Sequence, residues 1–146
     1  MAEIVACTSC GQRNKVQAAA KGKPVCGRCK DALPWIASAG DDTFADVVEK
    51  SPLPVLVDMW APWCGPCRTV GPALEQVARE LAGRVKLVKV NVDHAPRLSR
   101  RFSIQAVPTL MMVDGGKVKA RQSGAAPAAV LRRWVEQSLP QPRGTR

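Results

Sequence analysis

The sequence predicts an α/β fold in which a mixed central sheet is flanked by helices and preceded by a small separate module. From residue 41 onward, short apolar runs typical of buried strands alternate with segments whose apolar residues recur at helical spacing. A glycine-containing hairpin and a last amphipathic segment complete this order. Residues 1–33, in contrast, carry few large apolar side chains and four of the six cysteines. We therefore expect two domains: a small module at 1–33 that depends on its cysteines to hold it together, and an α/β domain at 34–146.

The α/β domain is expected to begin with an edge strand that follows a linker at 31–40. Asp41 or Asp42 can cap a helix that runs through residue 49. The buried face of that helix would carry Phe44, Val47 and Val48.

The next three elements supply the centre of the sheet. Residues 54–60 (PVLVDMW) form a nearly continuous apolar run, which predicts a strand covered on both faces. A long helix is expected at 67–82, with Gly83 as its stop signal. The β-branched stretch 85–92 predicts a second strand.

The last third of the chain repeats the alternation. We expect a short helix at 96–102, a strand at 109–113, and a tight turn at 114–116 that leads into a strand at 117–122. A final helix is expected at 127–139, and the tail, 140–146, is expected to be loose. The side chains predicted to face inward from the final helix are Val130, Leu131, Trp134, Val135 and Leu139.

Composition and charge narrow the class of protein. The chain is 46% hydrophobic and 23% charged, as globular proteins are, and its apolar runs are too short to span a bilayer. The start of the sequence lacks the basic and apolar regions of a secretion signal. We therefore expect a cytoplasmic protein in a reducing environment, with no membrane partner. The formal net charge of +10 favours acidic partners but does not define a fold.

The six cysteines form three Cys-x-x-Cys pairs. In a reducing compartment such pairs serve as metal ligands or catalytic thiols more often than as structural disulfides. The first two pairs are fifteen residues apart, which matches a zinc ribbon with four thiolate ligands and a closed, structural Zn²⁺ site. The alternative is two redox-active or disulfide-bonded pairs. The predicted ligands are Cys7, Cys10, Cys26 and Cys29, with Gly11 and Gly27 relieving the backbone beside the metal.

The third pair, Cys64 and Cys67, lies where a buried strand meets a long helix. Two intervening residues place both sulfurs in the first helical turn, close enough to form a disulfide. Unpaired N–H groups and the helix dipole would stabilise a thiolate at Cys64, whereas a free thiol is only a few per cent ionised at pH 7. We expect Cys64 to be the nucleophile and Cys67, deeper in the helix, to be the resolving thiol. The alternatives are half of a metal site or two inert core cysteines.

Asp58 stands inside the apolar run 54–60. A buried carboxylate without a partner is costly, so this residue either keeps a proton or finds a partner. The alternative is that the end of the strand reaches solvent.

Three motifs together carry a family resemblance. The segment WAPWCGPC, with VLVD before it at 55–58 and VPT after it at 107–109, resembles the thioredoxin family. The similarity covers about residues 35–139 in matching order, and the N-terminal cysteine pairs resemble the zinc-containing class of bacterial thioredoxins. The resemblance implies a thioredoxin fold and a protein-disulfide reductase. Its redox-active centre would be the Cys64–Cys67 disulfide, with no bound organic cofactor.

The resemblance also implies roles for supporting residues. Asp58 would accept a proton from Cys67 during resolution. Lys89 would adjust the proton affinity of Asp58; the alternative is that Lys89 is simply a solvated side chain. Pro108 would follow a cis peptide bond, which only about 5–6% of X-Pro bonds adopt. A substrate segment would lie along the Val107 backbone like an added strand. The apolar contact surface beside Pro108 would consist of Trp63, Gly65, Pro66, Val107, Gly124 and Ala125.

The same resemblance implies the partners: proteins that carry disulfides, and a flavin-containing, NADPH-dependent thioredoxin reductase as electron donor. We expect a monomer. A rival interpretation is a zinc-ribbon nucleic-acid-binding protein that uses basic residues such as Arg97, Arg100 and Arg101. Because residues 1–33 contain no aromatic side chain for base stacking and the basic residues are scattered, we expect no specific nucleic-acid partner. A holdase or scaffold, in which turnover is incidental, is a third possibility.

Overall fold

A computed structural model describes residues 2–140 of the 146-residue chain. The expected loose tail therefore lies, from residue 141 onward, outside the described residues. At the N-terminal end, β1 (Ala2–Ala6) and β2 (Arg13–Gln17) pair in antiparallel fashion as a two-stranded sheet. The apolar pattern does not predict these two strands, because both are short and β2 is largely polar.

A five-stranded mixed sheet forms the centre of the α/β domain, which confirms the predicted fold class. Its strands lie in the order β3-β5-β4-β6-β7; β3, β5 and β4 are parallel, and β6 and β7 are antiparallel to their neighbours. The expected edge strand is therefore present as β3. The strands are β3 (Trp35–Ser38), β4 (Val55–Trp60), β5 (Lys86–Asn91), β6 (Thr109–Asp114) and β7 (Lys117–Ser123).

Helices cover both faces of this sheet. The long helix α1 (Gly65–Glu80) and the last helix α3 (Ala128–Gln137) pack on one face, and the short helix α2 (Pro96–Arg101) packs on the other. A five-residue π-helical segment, Ala45–Glu49, lies on the same face as α2. None of the helices within residues 2–140 combines the length and the apolar character that crossing a membrane requires.

Strand β4 lies at the centre of the sheet and is covered on both faces, as predicted. Val55, Val57 and Met59 pack with the α2 side, whereas Leu56 packs with α1 and α3. Because side chains alternate along a strand, Asp58 shares the face of Leu56 and lies beneath α1. This alternation places a carboxyl group close to the start of the long helix.

The predicted capping by Asp41 or Asp42 is wrong. The π-helical segment has no side-chain cap, and the Asp41 carboxylate instead accepts the backbone N–H groups of Arg97 at 3.1 Å and Leu98 at 2.9 Å. Asp41 therefore caps α2, whose two donating N–H groups lie 56 and 57 residues further along the chain. An acceptor that is distant in sequence can satisfy the free N–H groups of a helix, and local spacing does not reveal it.

The predicted inward face of the last helix needs one correction. Leu131 and Val135 are fully buried, but Val130 is 47% exposed. Leu139 and Trp134 pack against the same core cluster as Leu131. The buried stripe of α3 is therefore narrower than the apolar pattern suggests, and Val130 lies outside it.

Candidate functional site

The Cys64–Cys67 pair lies at the N-terminus of α1, directly after the loop that follows β4. Cys64 has extended backbone angles (φ −89°, ψ 113°) and occupies the N-cap position. The backbone N–H of Cys67 donates to Cys64 Sγ at 3.1 Å, so an unpaired amide of the first helical turn points at this sulfur. The two cysteines form a disulfide, and their Cα atoms are 5.3 Å apart.

The helix begins at Gly65, two residues before the predicted start. Pro66 fits this first turn because its missing N–H would have no partner there in any case. The N-cap position supplies both an amide hydrogen bond and the positive end of the helix dipole to Cys64. These are the two features that stabilise a thiolate when the disulfide is reduced.

Solvent exposure does not distinguish the two cysteines in the disulfide form. Cys64 is 4% exposed and Cys67 is 6% exposed. They differ in their surroundings instead: Cys64 Sγ lies 3.5 Å from the carbonyl oxygen of Val107, whereas Cys67 lines a partly open cavity next to Asp58.

The Val107–Pro108 peptide bond is cis, as the family resemblance implies. Pro108 is buried, and its carbonyl oxygen accepts the N–H of Gly124 at 3.0 Å. Gly124 has a positive φ of +95°, a backbone conformation that glycine adopts without strain. This contact joins the loop before β6, whose Val107 lies next to Cys64, to the residue that follows β7.

The expected contact surface is largely exposed. Trp63 is 68% exposed, and its indole N–H donates to the carboxylate of Asp93 at 3.1–3.2 Å. Trp63 and Val107 both line a shallow cavity of about 210 Å³. Gly65, Pro66, Gly124 and Ala125 are exposed as well. An exposed tryptophan beside a half-buried valine offers an apolar surface next to Cys64.

Asp58 is buried, which rules out the alternative that the strand end reaches solvent. Its side chain is 1% exposed, and Oδ1 has no hydrogen-bond partner among the described residues. Burial raises the pKa of Asp58 to about 6; Lys89 opposes this shift and Glu75 adds to it. A carboxyl group with this pKa can accept or release a proton near neutral pH.

Lys89 lies opposite Asp58 in the parallel pairing of β4 with β5. Its ammonium group does not pair with Asp58 but forms an ion pair with Glu75 on α1, at 3.0 Å. Sequence reasoning does not identify Glu75. The signal is present, however: Cys67, Gly71 and Glu75 recur at intervals of four residues and so share one face of α1.

A cavity of about 330 Å³ connects these groups. Its wall includes the face of α1 described above together with Asp58 and Lys89. The cavity therefore brings a cysteine of the disulfide, a buried carboxyl and an ion pair into one space. In such an arrangement a proton can pass between Cys67 and Asp58 through the cavity. It does not have to pass the side of the disulfide on which Cys64 contacts Val107.

The four remaining cysteines form a second candidate site, in the N-terminal module. The sulfurs of Cys7, Cys10, Cys26 and Cys29 all lie within 4.8 Å of one another. The Cys7–Cys29 and Cys10–Cys26 sulfur pairs are 3.6 Å apart, close to the roughly 3.8 Å between sulfurs bound to one tetrahedral Zn²⁺ at 2.3 Å. Four thiol donors at this spacing fit a tetrahedral metal ion, and the cluster could hold one.

Backbone and side-chain donors already surround these sulfurs. Ser9 N–H donates to Cys7 Sγ and Arg28 N–H to Cys26 Sγ, each at 3.4 Å. Asn14 accepts the Gly27 N–H at 2.9 Å and places its amide 3.6 Å from Cys26 Sγ. Hydrogen bonds to sulfur favour the thiolate form that metal binding requires.

Of the two glycines predicted to relieve the backbone beside the cysteines, only Gly11 has a positive φ. Gly11 has a φ of +80°, as expected for relief of a tight turn, and its N–H donates to the Cys7 carbonyl. The prediction for Gly27 is wrong, since the positive φ of the second turn falls at Lys30 (φ +70°), whose N–H donates to the Cys26 carbonyl. Gly11 and Lys30 each follow the second cysteine of a pair, so the two turns have equivalent geometry.

Comparisons with known proteins identify the family of the α/β domain. The family model described as Thioredoxin matches residues 35–137. Thioredoxin C-3 of Corynebacterium nephridii is 36% identical over 144 residues, which cover 97% of this chain and 99% of that protein. The Thioredoxin of Haemophilus influenzae is 42% identical over 99 residues, which cover 68% of this chain and 92% of that protein. The chloroplastic Thioredoxin M-type of Chlamydomonas reinhardtii is 43% identical over 102 residues, covering 70% of this chain and 73% of its own.

Proposed function

This chain belongs to the thioredoxin family and is a thiol–disulfide oxidoreductase, and from that premise we propose how its residues divide the reaction. Cys64 is the attacking thiol, Cys67 is the resolving thiol, and Asp58 is the base that takes the Cys67 proton. The observation that carries this assignment is the disulfide at the N-cap of α1, with Cys64 Sγ facing the Val107 carbonyl and Cys67 facing the Asp58 cavity.

In the first step, the reduced protein attacks a substrate disulfide through the Cys64 thiolate. The substrate S–S bond breaks, a mixed disulfide forms, and the first substrate sulfur leaves and takes up a proton. The N-cap amide and the helix dipole stabilise the thiolate before attack.

In the second step, Asp58 accepts the proton of Cys67. The Cys67 thiolate then attacks Cys64 Sγ, the mixed disulfide breaks, and the second substrate sulfur leaves as a thiolate and takes up a proton. Two electrons have passed to the substrate, and the product is the Cys64–Cys67 disulfide seen in this structure. Asp58 is suited to this role because burial brings its pKa close to neutral pH.

Substrates are disulfide-containing proteins, which would bind on the surface formed by Trp63, Gly65, Pro66, Val107, Pro108, Gly124 and Ala125. An extended substrate segment would pair with the Val107 backbone, which lies next to Cys64. The electron donor is a flavin-containing, NADPH-dependent thioredoxin reductase. The proposed state is a monomer.

Zn²⁺ is the proposed occupant of the four-cysteine cluster, because four thiolates in tetrahedral spacing suit it and leave no open position for catalysis. A zinc–thiolate site also suits a reducing compartment such as the cytoplasm, which is the proposed location. The residues that would hold the ion are Cys7, Cys10, Cys26 and Cys29.

A nucleic-acid-binding role is less well supported. Arg97 pairs with Asp41 and Asp42, and Arg101 pairs with Glu49, so these basic groups are already partly neutralised. A scaffold role would not require the buried carboxyl next to Cys67. Neither alternative accounts for the placement of Asp58.

The proposed roles are tested by capture of substrates. Cys67→Ser should retain disulfide substrates on Cys64 as mixed disulfides, because nothing resolves them. Cys64→Ser is the matched control and should capture none, with reduction of a protein disulfide lost in both variants. If Cys64→Ser captured the same proteins through Cys67, the order of attack proposed here would be wrong.

A further inference from the structure

The Lys89–Glu75 ion pair lies at the wall of the cavity that contains Asp58 and Cys67. Lys89 and Asp58 are direct neighbours across the β4–β5 pair, so the ammonium group could reach either carboxylate. In the structure it pairs with Glu75 at 3.0 Å, and the Asp58 oxygen Oδ1 is left without a partner. The ion pair is partly solvated, since Lys89 and Glu75 side chains are 27% and 37% exposed.

We propose that Glu75 is a positioning residue for the reaction: by holding the Lys89 ammonium group, it keeps Asp58 free of a paired cation and able to take the Cys67 proton. This inference rests on the proposed function of Asp58 as the base. It assigns a role to a residue on the third turn of α1, eight positions after Cys67.

The physical reason is competition for one cation. A carboxylate that pairs closely with an ammonium group holds protons less tightly and is a weaker base. The Lys89 ammonium group keeps more of its own solvation beside Glu75, whose side chain is 37% exposed, than it would beside the buried Asp58. Glu75 therefore removes Lys89 from the position in which it would weaken the base.

Among the described residues, no other charged group that lines the cavity could hold Lys89 away from Asp58 in place of Glu75. From α1, Cys67 and Arg68 also line the cavity, but the Arg68 guanidinium donates to the Pro62 carbonyl at 3.1 Å. From β6, the neighbour of Asp58 in register is Leu110, which does not titrate. The charges that face Asp58 are thus those of Lys89 and Glu75, in agreement with the two charged groups that shift its pKa.

The direct test is Glu75→Gln, which keeps the shape of the side chain and removes its charge. We expect the titration midpoint of Asp58, followed by carboxyl ¹³C NMR in the reduced protein, to move down by about one pH unit. The rate of mixed-disulfide resolution in a single turnover should fall at pH 7 by about threefold to tenfold, with its acid limb shifted to lower pH. Glu80→Gln is the matched control, because Glu80 is also on α1 but pairs with Arg132 outside the cavity.

A second variant separates positioning from a direct charge effect. In a Lys89→Met background, Glu75→Gln should move the Asp58 midpoint by less than half as much as in the wild-type chain, because no ammonium group remains to be released. An equal shift in both backgrounds, or no shift in either, would overturn the proposal.

Failure of the underlying function would look different. If Asp58→Asn left the rate of resolution unchanged, Asp58 would not be the base, whatever Glu75 does to its titration. If Asp58→Asn slowed resolution but Glu75→Gln left both midpoint and rate unchanged, only the role of Glu75 would be lost.

Discussion

Asp58 is the residue at which stability and chemistry conflict. Its pKa of about 6 in the folded chain exceeds the ordinary value of 3.8 because burial disfavours the charged form. The folded chain thus binds this proton more tightly than the unfolded chain does. The free energy of unfolding therefore falls as the pH rises from about 4 to about 6, and the full penalty applies above that interval.

Asp58→Asn should consequently stabilise the oxidised protein at neutral pH. A shift of about two pKa units corresponds to roughly 3 kcal/mol, so we expect a gain of about 1–3 kcal/mol at pH 7.5. At pH 4, where the folded-state carboxyl is already protonated, the gain should shrink to about 0.5 kcal/mol. Urea unfolding at both pH values measures this difference. Asp46→Asn, which alters an exposed carboxylate, should change stability by less than about 0.5 kcal/mol at either pH. A gain of the same size at both pH values would contradict the argument.

Individual residues were predictable from the sequence where their partners lie close by in the chain. Cys64 and Cys67 are three positions apart, and their spacing alone indicates a disulfide at a helix start. Glu75 was not predictable in this way, because its partner Lys89 is fourteen residues away. Lys86 is a stronger case: this buried lysine donates to carbonyls 39 and 68 residues distant, and only the folded chain brings them together.

Among the elements, strands and long helices follow the apolar pattern, whereas their ends depend on long-range contacts. Strand β4 is an apolar run that the sheet buries on both faces, so it was predictable. The capping of α2 by Asp41 was not, because the acceptor comes from a different element. At the end of α1, the sequence predicts Gly83 as the stop signal but not its close approach to Ala32 of the N-terminal module.

Gly83 has two reasons to be glycine. Its φ is +83°, and a Cβ at this position would lie 2.8 Å from the Cβ of Ala32. Gly83→Ala should therefore lower the free energy of unfolding through both backbone strain, about 1 kcal/mol, and a steric clash, about 1–3 kcal/mol. Gly115→Ala isolates the first effect, because Gly115 also has a positive φ but has open space around it. Urea unfolding should show a clearly larger loss for Gly83→Ala; equal losses would mean that the contact with Ala32 relaxes without cost.

At the scale of the whole molecule, Lys86 and Trp35 join the N-terminal module to the α/β domain. The Lys86 ammonium group is fully buried, donates to the carbonyls of Ala18 (2.5 Å) and Val47 (2.6 Å), and lies 4.0 Å from the ring of Trp35. Trp35 is also fully buried, and its indole N–H donates to the Gln17 carbonyl at 2.9 Å. Residues 1–33 and the five-stranded sheet therefore share one set of buried contacts.

The buried Lys86 should make stability depend on pH on the alkaline side. Burial lowers its pKa to about 8 from 10.5, so between these values the unfolded chain holds the proton more tightly. The contribution of Lys86 to the free energy of unfolding therefore rises with pH across this window, by about 1–2 kcal/mol between pH 7.5 and pH 10. The free energy of unfolding of the wild-type chain minus that of Lys86→Met should therefore rise from pH 7.5 to pH 10. The same difference for the exposed Lys50→Met should show no such trend. A difference that does not change with pH would show that Lys86 keeps its proton throughout.

If Zn²⁺ occupies the four-cysteine cluster as proposed, its removal should unfold the N-terminal module while sparing the redox centre. The module's buried residues include Cys7, Val16, Cys26 and Leu33, and we expect so small a core to depend on the proposed Zn²⁺ for its stability. Trp35 packs in the same cluster, at the end of the sheet where β5 begins, whereas the cysteine pair follows the opposite end of β4.

Treatment with a strong chelator should therefore shift Trp35 fluorescence to longer wavelength as its indole meets water, with metal content followed by elemental analysis. Trp35→Phe should lack most of this shift, because its remaining tryptophans, Trp60, Trp63 and Trp134, lie outside the cluster that contains Trp35. Disulfide reduction should stay within about threefold of the untreated protein, since no part of the proposed chemistry passes through the metal. If the metal were lost without any change in Trp35 emission, the module would hold its fold by apolar contacts alone, and the small core would have to be more stable than its size suggests.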